Sequence, residues 1–168
     1  MSIELQSPKK ARIIKADYSL LAKVGSGPLD EKLVEKCQKV MDSNTVDFTP
    51  LANEFLDKLS AAISDTKSGK LSKDTAIEAM SAPVMQLKAN ATTFRYELIG
   101  NLANVMLSFL ESITTLDDDV LAIVEAHYKT LSAIVLKKMS GTGGSSGKLL
   151  EDELKGACKR YFSRSQKA

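Results

Sequence analysis

The chain has 168 residues, with 23 lysines and arginines against 21 aspartates and glutamates, so its formal net charge is +2. This length predicts one domain, and 43% hydrophobic with 26% charged residues excludes a wholly disordered chain. So small a net charge gives no electrostatic reason to expect nucleic-acid binding. Apolar runs fall short of the roughly 18 residues of a membrane span, and the N-terminus lacks the apolar block of a secretory signal. We therefore expect a cytoplasmic protein that binds neither nucleic acid nor membrane.

The N-terminal arm, residues 1–28, is basic and irregular. Its segment ARIIKA is the one candidate for extended structure, and the arm ends in turn signals at 25–28. Helical periodicity prevails from residue 29 onward and indicates a helical domain over 29–165. The predicted helices span 29–42, 49–65, 73–114, 118–139 and 149–162. Such amphipathic helices bury their apolar stripes on one another, which predicts an all-α, up-and-down antiparallel bundle of four to five helices.

The third predicted helix is the longest and contains a proline. Its apolar seam advances by alternating steps of three and four residues, as in a helical bundle. The seam consists of Ile77, Met80, Val84, Leu87, Ala91, Phe94 and Leu98. Because proline disfavours helix at the residue before it, we expect a kink or a new helix start near 81–83.

The residues offer few candidates for catalysis or metal binding. Two cysteines, Cys37 and Cys158, lack metal-site spacing and are interpreted as reduced side chains on helices. The one histidine, His127, would have to join distant thiols to bind zinc. The acidic clusters at 117–119 and 151–153 begin helices, where they stabilise the helix dipole. We therefore expect no enzyme, no metal and no cofactor.

The segment GTGGSSGKL, from residue 141, invites comparison with a phosphate-binding loop. That loop requires glycine where Thr142 stands and serine or threonine where Leu149 stands, and it follows a strand. We interpret the segment instead as a flexible connection between two helices.

The most informative segment for function is the outer side of the third predicted helix. If its seam faces the bundle, the opposite side is basic, with small residues that let a partner approach closely. This predicted partner-binding face consists of Ser81, Met85, Lys88, Ala89, Thr92 and Arg95.

The segment MQLKANATTFRY, residues 85–96, carries a family resemblance. Histidine phosphotransfer (HPt) domains hold their phosphorylated histidine on a bundle helix in an H-x-x-K-G motif. In chemotaxis histidine kinases the motif extends to approximately HxxKGxAxTFGF, which this segment resembles at the same spacing, with Lys88 at the lysine. The other matching positions are Ala91, Thr93, Phe94 and Tyr96. The chain also resembles small helical proteins encoded beside chemotaxis and two-component genes in alphaproteobacteria.

The resemblance implies a bacterial two-component or chemotaxis module that docks a response-regulator receiver domain or a histidine kinase. The segment departs from the motif in an informative way: Met85 stands where the family has its phosphoacceptor histidine, and Ala89 and Arg95 replace glycines. A thioether cannot accept a phosphoryl group as imidazole does. The resemblance therefore implies a module of phosphorelay signalling that keeps the docking face but does not itself carry phosphate.

Two alternatives remain open from the sequence. His127 lies on the apolar seam of the fourth predicted helix, where an inward, hydrogen-bonded histidine is expected. It would act as a displaced phosphoacceptor, near Lys129, if it were exposed. Alternatively, the long seam serves a structural or oligomerising bundle. The apolar pattern of one chain is the same whether the seam packs within that chain or against the helix of a partner. The oligomeric state is left undetermined.

Overall fold

The computed structural model describes residues 18–19, 23, 27–28, 30–43 and 46–165. These residues form six α-helices and no strand. The helices are α1 (Glu31–Asp42), α2 (Thr49–Lys67), α3 (Lys73–Ala91), α4 (Glu97–Ser112), α5 (Asp118–Leu136) and α6 (Gly144–Ser165). The all-α prediction is confirmed, although the helices outnumber the predicted four to five. The extended candidate at 11–16 lies outside the described residues.

The chain divides into two compact units, Met1–Asp42 and Ser43–Ala168. In the first unit, α1 carries apolar side chains, among them Leu33, Cys37 and Val40, and none of its residues is buried. The assignment of this helix to a bundle domain over 29–165 stays a prediction.

The second unit holds the hydrophobic core. Helix α2 packs on α3 and α5, α4 packs on α3, α5 and α6, and α5 also packs on α6. Connections of five to seven residues join α2 through α6. Connections this short favour antiparallel neighbours. The largest fully buried apolar side chains come from the residue before α2 and from α2 to α5: Phe48, Leu59, Met80, Leu87, Leu98, Ile99, Leu102, Met106, Leu110, Leu131 and Ile134.

The predicted single helix over 73–114 is wrong, because the chain forms two helices, α3 and α4. The break is not at Pro83, which is buried inside α3. It lies at 92–96, where Tyr96 N–H donates to the Ala91 carbonyl at 2.8 Å. The rings of Phe94 and Tyr96 both pack on Phe48, with centroid separations of 5.0 and 5.3 Å. These contacts favour the turn, because in a straight helix residues two apart point about 200° away from each other and could not both pack on Phe48.

The glycine-rich connection is shorter and better packed than predicted. Helix α6 begins at Gly144 rather than near residue 149. Gly141, Gly143 and Gly144 have positive φ angles, which glycine adopts without steric cost. A methyl group on Gly147 would lie 2.1 Å from the carbonyl oxygen of Thr142, so only glycine fits there. The segment is therefore a specific turn packed against the bundle.

Other helix limits follow the sequence signals closely. Pro50 lies in the first turn of α2, and Asp117 caps α5 by accepting from Val120 N–H at 2.8 Å. Within the described part of the chain, no helix combines the length and the apolar character needed to cross a membrane.

Candidate functional site

The outer face of α3 is defined by the residues that the helix buries on its other side. Ser72 caps the helix, with its Oγ accepting from Thr75 N–H at 3.4 Å. Burial then recurs every three or four residues, so the buried positions form one stripe. This stripe is Ala76, Met80, Val84, Leu87 and Ala91, all fully buried. Residues half a turn away must therefore face outward.

Five of the six predicted partner-binding residues lie on α3 or at its C-cap. At 100° per residue, Ser81, Met85, Lys88, Ala89 and Thr92 fall within an arc of about 100°. Met85 is 55% exposed, and the side chains beside it are exposed except for Ser81, which is half-buried. We call the outward surface of these five residues the α3 face.

Arg95, the sixth predicted residue, lies beyond the helix in the turn between α3 and α4. Its φ angle is +62°, and its N–H donates to the Thr92 carbonyl at 3.1 Å. Its carbonyl accepts from Gly141 N–H at 2.6 Å, so its backbone is held from both sides. The Arg95 side chain is exposed beside the end of α3, not on the helical arc itself.

Charge is distributed unevenly along this side of α3. Asp74 and Glu78 are exposed at the N-terminal end of the same arc, and Lys88 is exposed near the C-terminal end. Lys88 forms no salt bridge with a described residue. Lys88 lies one turn from Met85. The α3 face therefore combines an apolar side chain with a cation that can pair with an acidic partner.

His127, the alternative phosphoacceptor, lies inside the bundle with 0% of its surface exposed. Its Nδ1 is 2.9 Å from the Ile123 carbonyl oxygen, and its Nε2 is buried with no hydrogen-bond partner among the described residues. Burial lowers the pKa of the imidazole below its usual value, partly offset by the hydrogen bond to Ile123. The ring is therefore a neutral core group.

The two cysteines differ in exposure, and the described residues form no metal site. Cys158 is buried, and burial raises the pKa of its thiol to about 11, which keeps it protonated and unreactive. Cys37 is exposed, and both cysteines are free. No group of three or more histidine, cysteine, aspartate or glutamate residues is placed to hold a metal ion within the described ranges.

Nothing in the local sequence pattern connects the glycine segment with the predicted face. The structure brings them together, because Gly141 bonds both to Arg95 and, through its carbonyl, to Leu98 N–H at 2.9 Å. The signal that could have found this contact is the density of glycines, which indicates close backbone approach as readily as flexibility. The glycine segment thus supports the turn that carries Arg95.

Comparison of the chain with protein-family models, curated proteins and solved structures finds no match. Functional inference therefore rests on the residues and their geometry.

Proposed function

We propose that this chain is an HPt-like signalling module that has lost its phosphoacceptor. It binds a response-regulator receiver domain, or a histidine kinase, through the α3 face and Arg95, and it does not itself carry phosphate. The observation that carries the proposal is Met85, exposed at the centre of the α3 face one turn from Lys88. Met85 and Lys88 occupy the positions that resemble the histidine and lysine of the HPt motif.

The α3 face has the physical properties of a docking surface. Met85 offers a flexible apolar side chain that adapts to different contacts. Ala89 and Thr92 are small and exposed, so a partner helix can approach the α3 backbone closely. Lys88 adds a cation that favours an acidic partner and orients the approach. The side chains of the α3 face are thus suited to binding a partner, and none of these named residues is a nucleophile that could accept a phosphoryl group as histidine does.

Phosphotransfer through His127 is the less favoured function. Transfer requires an imidazole nitrogen to reach the acyl phosphate of another protein, with the lone pair available for attack. In His127 the whole side chain is buried, so even Nε2, which has no hydrogen-bond partner among the described residues, lies inside the core and out of reach of a partner. Reaching a partner would require α5 to separate from the core that it helps to form.

A purely structural or oligomerising role is also less favoured. That role would be supported if the α3 face were covered, whereas Met85, Lys88, Ala89 and Thr92 are exposed. The seams of α3 and α4 are already buried within the chain. They therefore do not need a second copy to cover them.

The first test measures binding of the full chain to purified receiver domains and to histidine kinases of two-component systems. Lys88→Glu is expected to weaken the tightest complex about tenfold, because it places a carboxylate against an acidic partner. Met85→Glu is expected to weaken it by at least as much through loss of the apolar contact. Lys58→Glu, on the exposed side of α2, is the control and should leave binding unchanged. Equal affinity of all variants would exclude the α3 face.

A second test restores the missing acceptor. Met85→His is expected to take up an acid-labile phosphoryl group from the phosphorylated receiver that the wild type binds, while the wild type takes up none. Labelling of the wild type that disappears in His127→Gln would instead establish the His127 mechanism. Failure of Met85→His to label despite normal binding would contradict the alignment with the HPt motif.

A further inference from the structure

A groove lies between the last turns of α5 and the first turns of α6, on helices other than α3. Its volume is about 650 Å³, and its apolar walls include Ile134, Met139, Leu149 and Leu150. None of its lining residues is acidic. No part of it belongs to the α3 face.

Apolar side chains around this groove are unusually exposed. Leu149 is 66% exposed, and Leu150, next to it in α6, is 37% exposed. Isolated exposed leucines are common, but a cluster that borders an apolar groove is typical of an interaction site. The groove therefore has apolar surface available to a partner.

Two lysines, Lys129 and Lys137, line the same groove. They are eight residues apart on α5, which places them on one side of the helix about 12 Å from each other. Both are exposed, and neither forms a salt bridge with a described residue. Lys138, next in sequence, differs because it pairs with Asp47 at 2.8 Å. Lys129 also acts through space on Glu125, but that carboxylate is bonded to Lys67 at 2.6 Å, so Lys129 and Lys137 remain available to bind further carboxylates.

The glycine turn described above connects the two helices that form the groove. The turn is bonded to the start of α4 through Gly141, and Gly147 packs against Thr142 with no space for a side chain. Because this turn sets where α6 begins relative to α5, the groove exists before any partner binds. A preformed groove reduces the conformational cost of binding.

We propose that this groove binds an amphipathic helix of a partner protein, one whose apolar stripe is flanked by acidic side chains. The stripe covers Leu149, Leu150 and Met139, and the acidic flank pairs with Lys129 and Lys137. Helix-in-groove recognition uses apolar anchors one turn apart, which a groove bounded by two helices accommodates. The charge of the two lysines selects an acidic helix over a basic one.

A second groove, between α4 and α6, also contains lysines but is a weaker candidate. Its volume is about 370 Å³, and one of its lysines, Lys155, is already bonded to Glu151. The second groove is smaller, and the charge of Lys155 is already neutralised by Glu151. It should therefore bind an acidic helix less selectively.

The test uses the full chain and two fluorescein-labelled helical peptides followed by fluorescence anisotropy. Both peptides have leucine at heptad positions a and d, and one has glutamate while the other has lysine at the remaining positions. The acidic peptide is expected to bind and the basic peptide to bind at least tenfold more weakly. Lys129→Glu combined with Lys137→Glu is expected to weaken acidic-peptide binding about tenfold, and Leu149→Asn to weaken it as well.

Matched controls make each outcome decisive. Lys58→Glu combined with Lys70→Glu reverses two exposed lysines outside the groove and should leave binding unchanged. Equal binding of both peptides, no binding, or no effect of the groove variants would overturn the proposal. So would a concentration-dependent dimer, seen by sedimentation, that Leu149→Asn dissociates, because a second copy would then occupy the groove. The α3 variants Lys88→Glu and Met85→Glu should not change peptide binding, which separates this proposal from the proposed function.

Discussion

His127 is the one buried residue among those described that carries a titratable imidazole, and it lies on the apolar seam of α5. Its seam position on α5 predicts an inward side chain, and the structure buries it completely. One ring nitrogen bonds to the Ile123 carbonyl, and the other has no partner among the described residues. A buried imidazole is easier to keep neutral than charged, so protonation opposes folding.

The first prediction concerns the stability of the bundle at acidic pH. Because burial places the folded pKa of His127 below the unfolded value, the unfolded chain binds more protons as pH falls through that range. The free energy of unfolding is therefore expected to decrease as pH falls from 7.5 through about 6.5, the unfolded pKa, toward 5.5. His127→Leu removes the imidazole and should reduce this decrease, as measured by urea unfolding at each pH. A pH dependence identical in both proteins would contradict the assignment. Keeping the pH at 5.5 or above leaves the carboxylates ionised.

At the scale of single residues, the face of α3 was predictable but Arg95 was not. Helical spacing alone places Met85, Lys88 and Ala89 opposite the buried stripe, and the structure has them exposed. Arg95 follows the end of the helix at positive φ, so helical spacing no longer applies to it.

At the scale of elements, the connection between α5 and α6 carries a sharp prediction. A Cβ on Gly147 would meet the Thr142 carbonyl at 2.1 Å and a Leu98 methyl at 3.2 Å. Gly100, inside α4, is a matched control because its added Cβ would have its nearest neighbour at 3.6 Å, an ordinary contact.

Gly147→Ala is expected to lower the free energy of unfolding by about 2 kcal/mol or more, since backbone must move to admit the methyl group. Gly100→Ala is expected to be neutral or to stabilise by up to about 1 kcal/mol through its higher helix propensity. Both are measured by urea unfolding of the full chain. If both substitutions changed the free energy of unfolding by equally small amounts, the backbone of the turn would be able to move at little cost, and the turn would not hold α6 in place.

The break between α3 and α4 shows the limit of periodicity at this scale. The seam residues continue with helical spacing through Phe94 and Leu98, so the pattern predicts one helix. The structure turns at 92–96 because both Phe94 and Tyr96 contact Phe48, which precedes α2. Such a contact between distant segments leaves no trace in local spacing.

At the scale of the whole molecule, the two compact units differ in what they bury. All buried residues among those described lie between Phe48 and Tyr161, in the second unit, and α1 has none. Burial of apolar surface is the main source of folding free energy. The second unit should therefore account for the stability of the bundle.

Removing Met1–Asp42 is accordingly expected to leave the bundle folded. The thermal unfolding midpoint of residues 43–168 should lie within about 4 °C of that of the full chain, a difference of less than roughly 1 kcal/mol. Phe48→Ala in the shortened chain is the comparison, because Phe48 is buried and its truncation should cost about 3 kcal/mol or more. A large loss on removing the first unit would show that it contributes to the stability of the core.

The all-α class, most helix starts and the outward residues of α3 could be predicted from the amino-acid pattern. These follow from capping residues such as Ser72 and Asp117 and from the spacing of apolar residues, which act within a few residues of one another. The turn at 92–96, the packing of the glycine segment and the groove between α5 and α6 became visible only in the folded chain. These depend on contacts between residues far apart in the chain, such as Phe48 with Phe94 and Gly141 with Arg95. Local propensity cannot encode such contacts, because their free energy is gained only when the helices pack together.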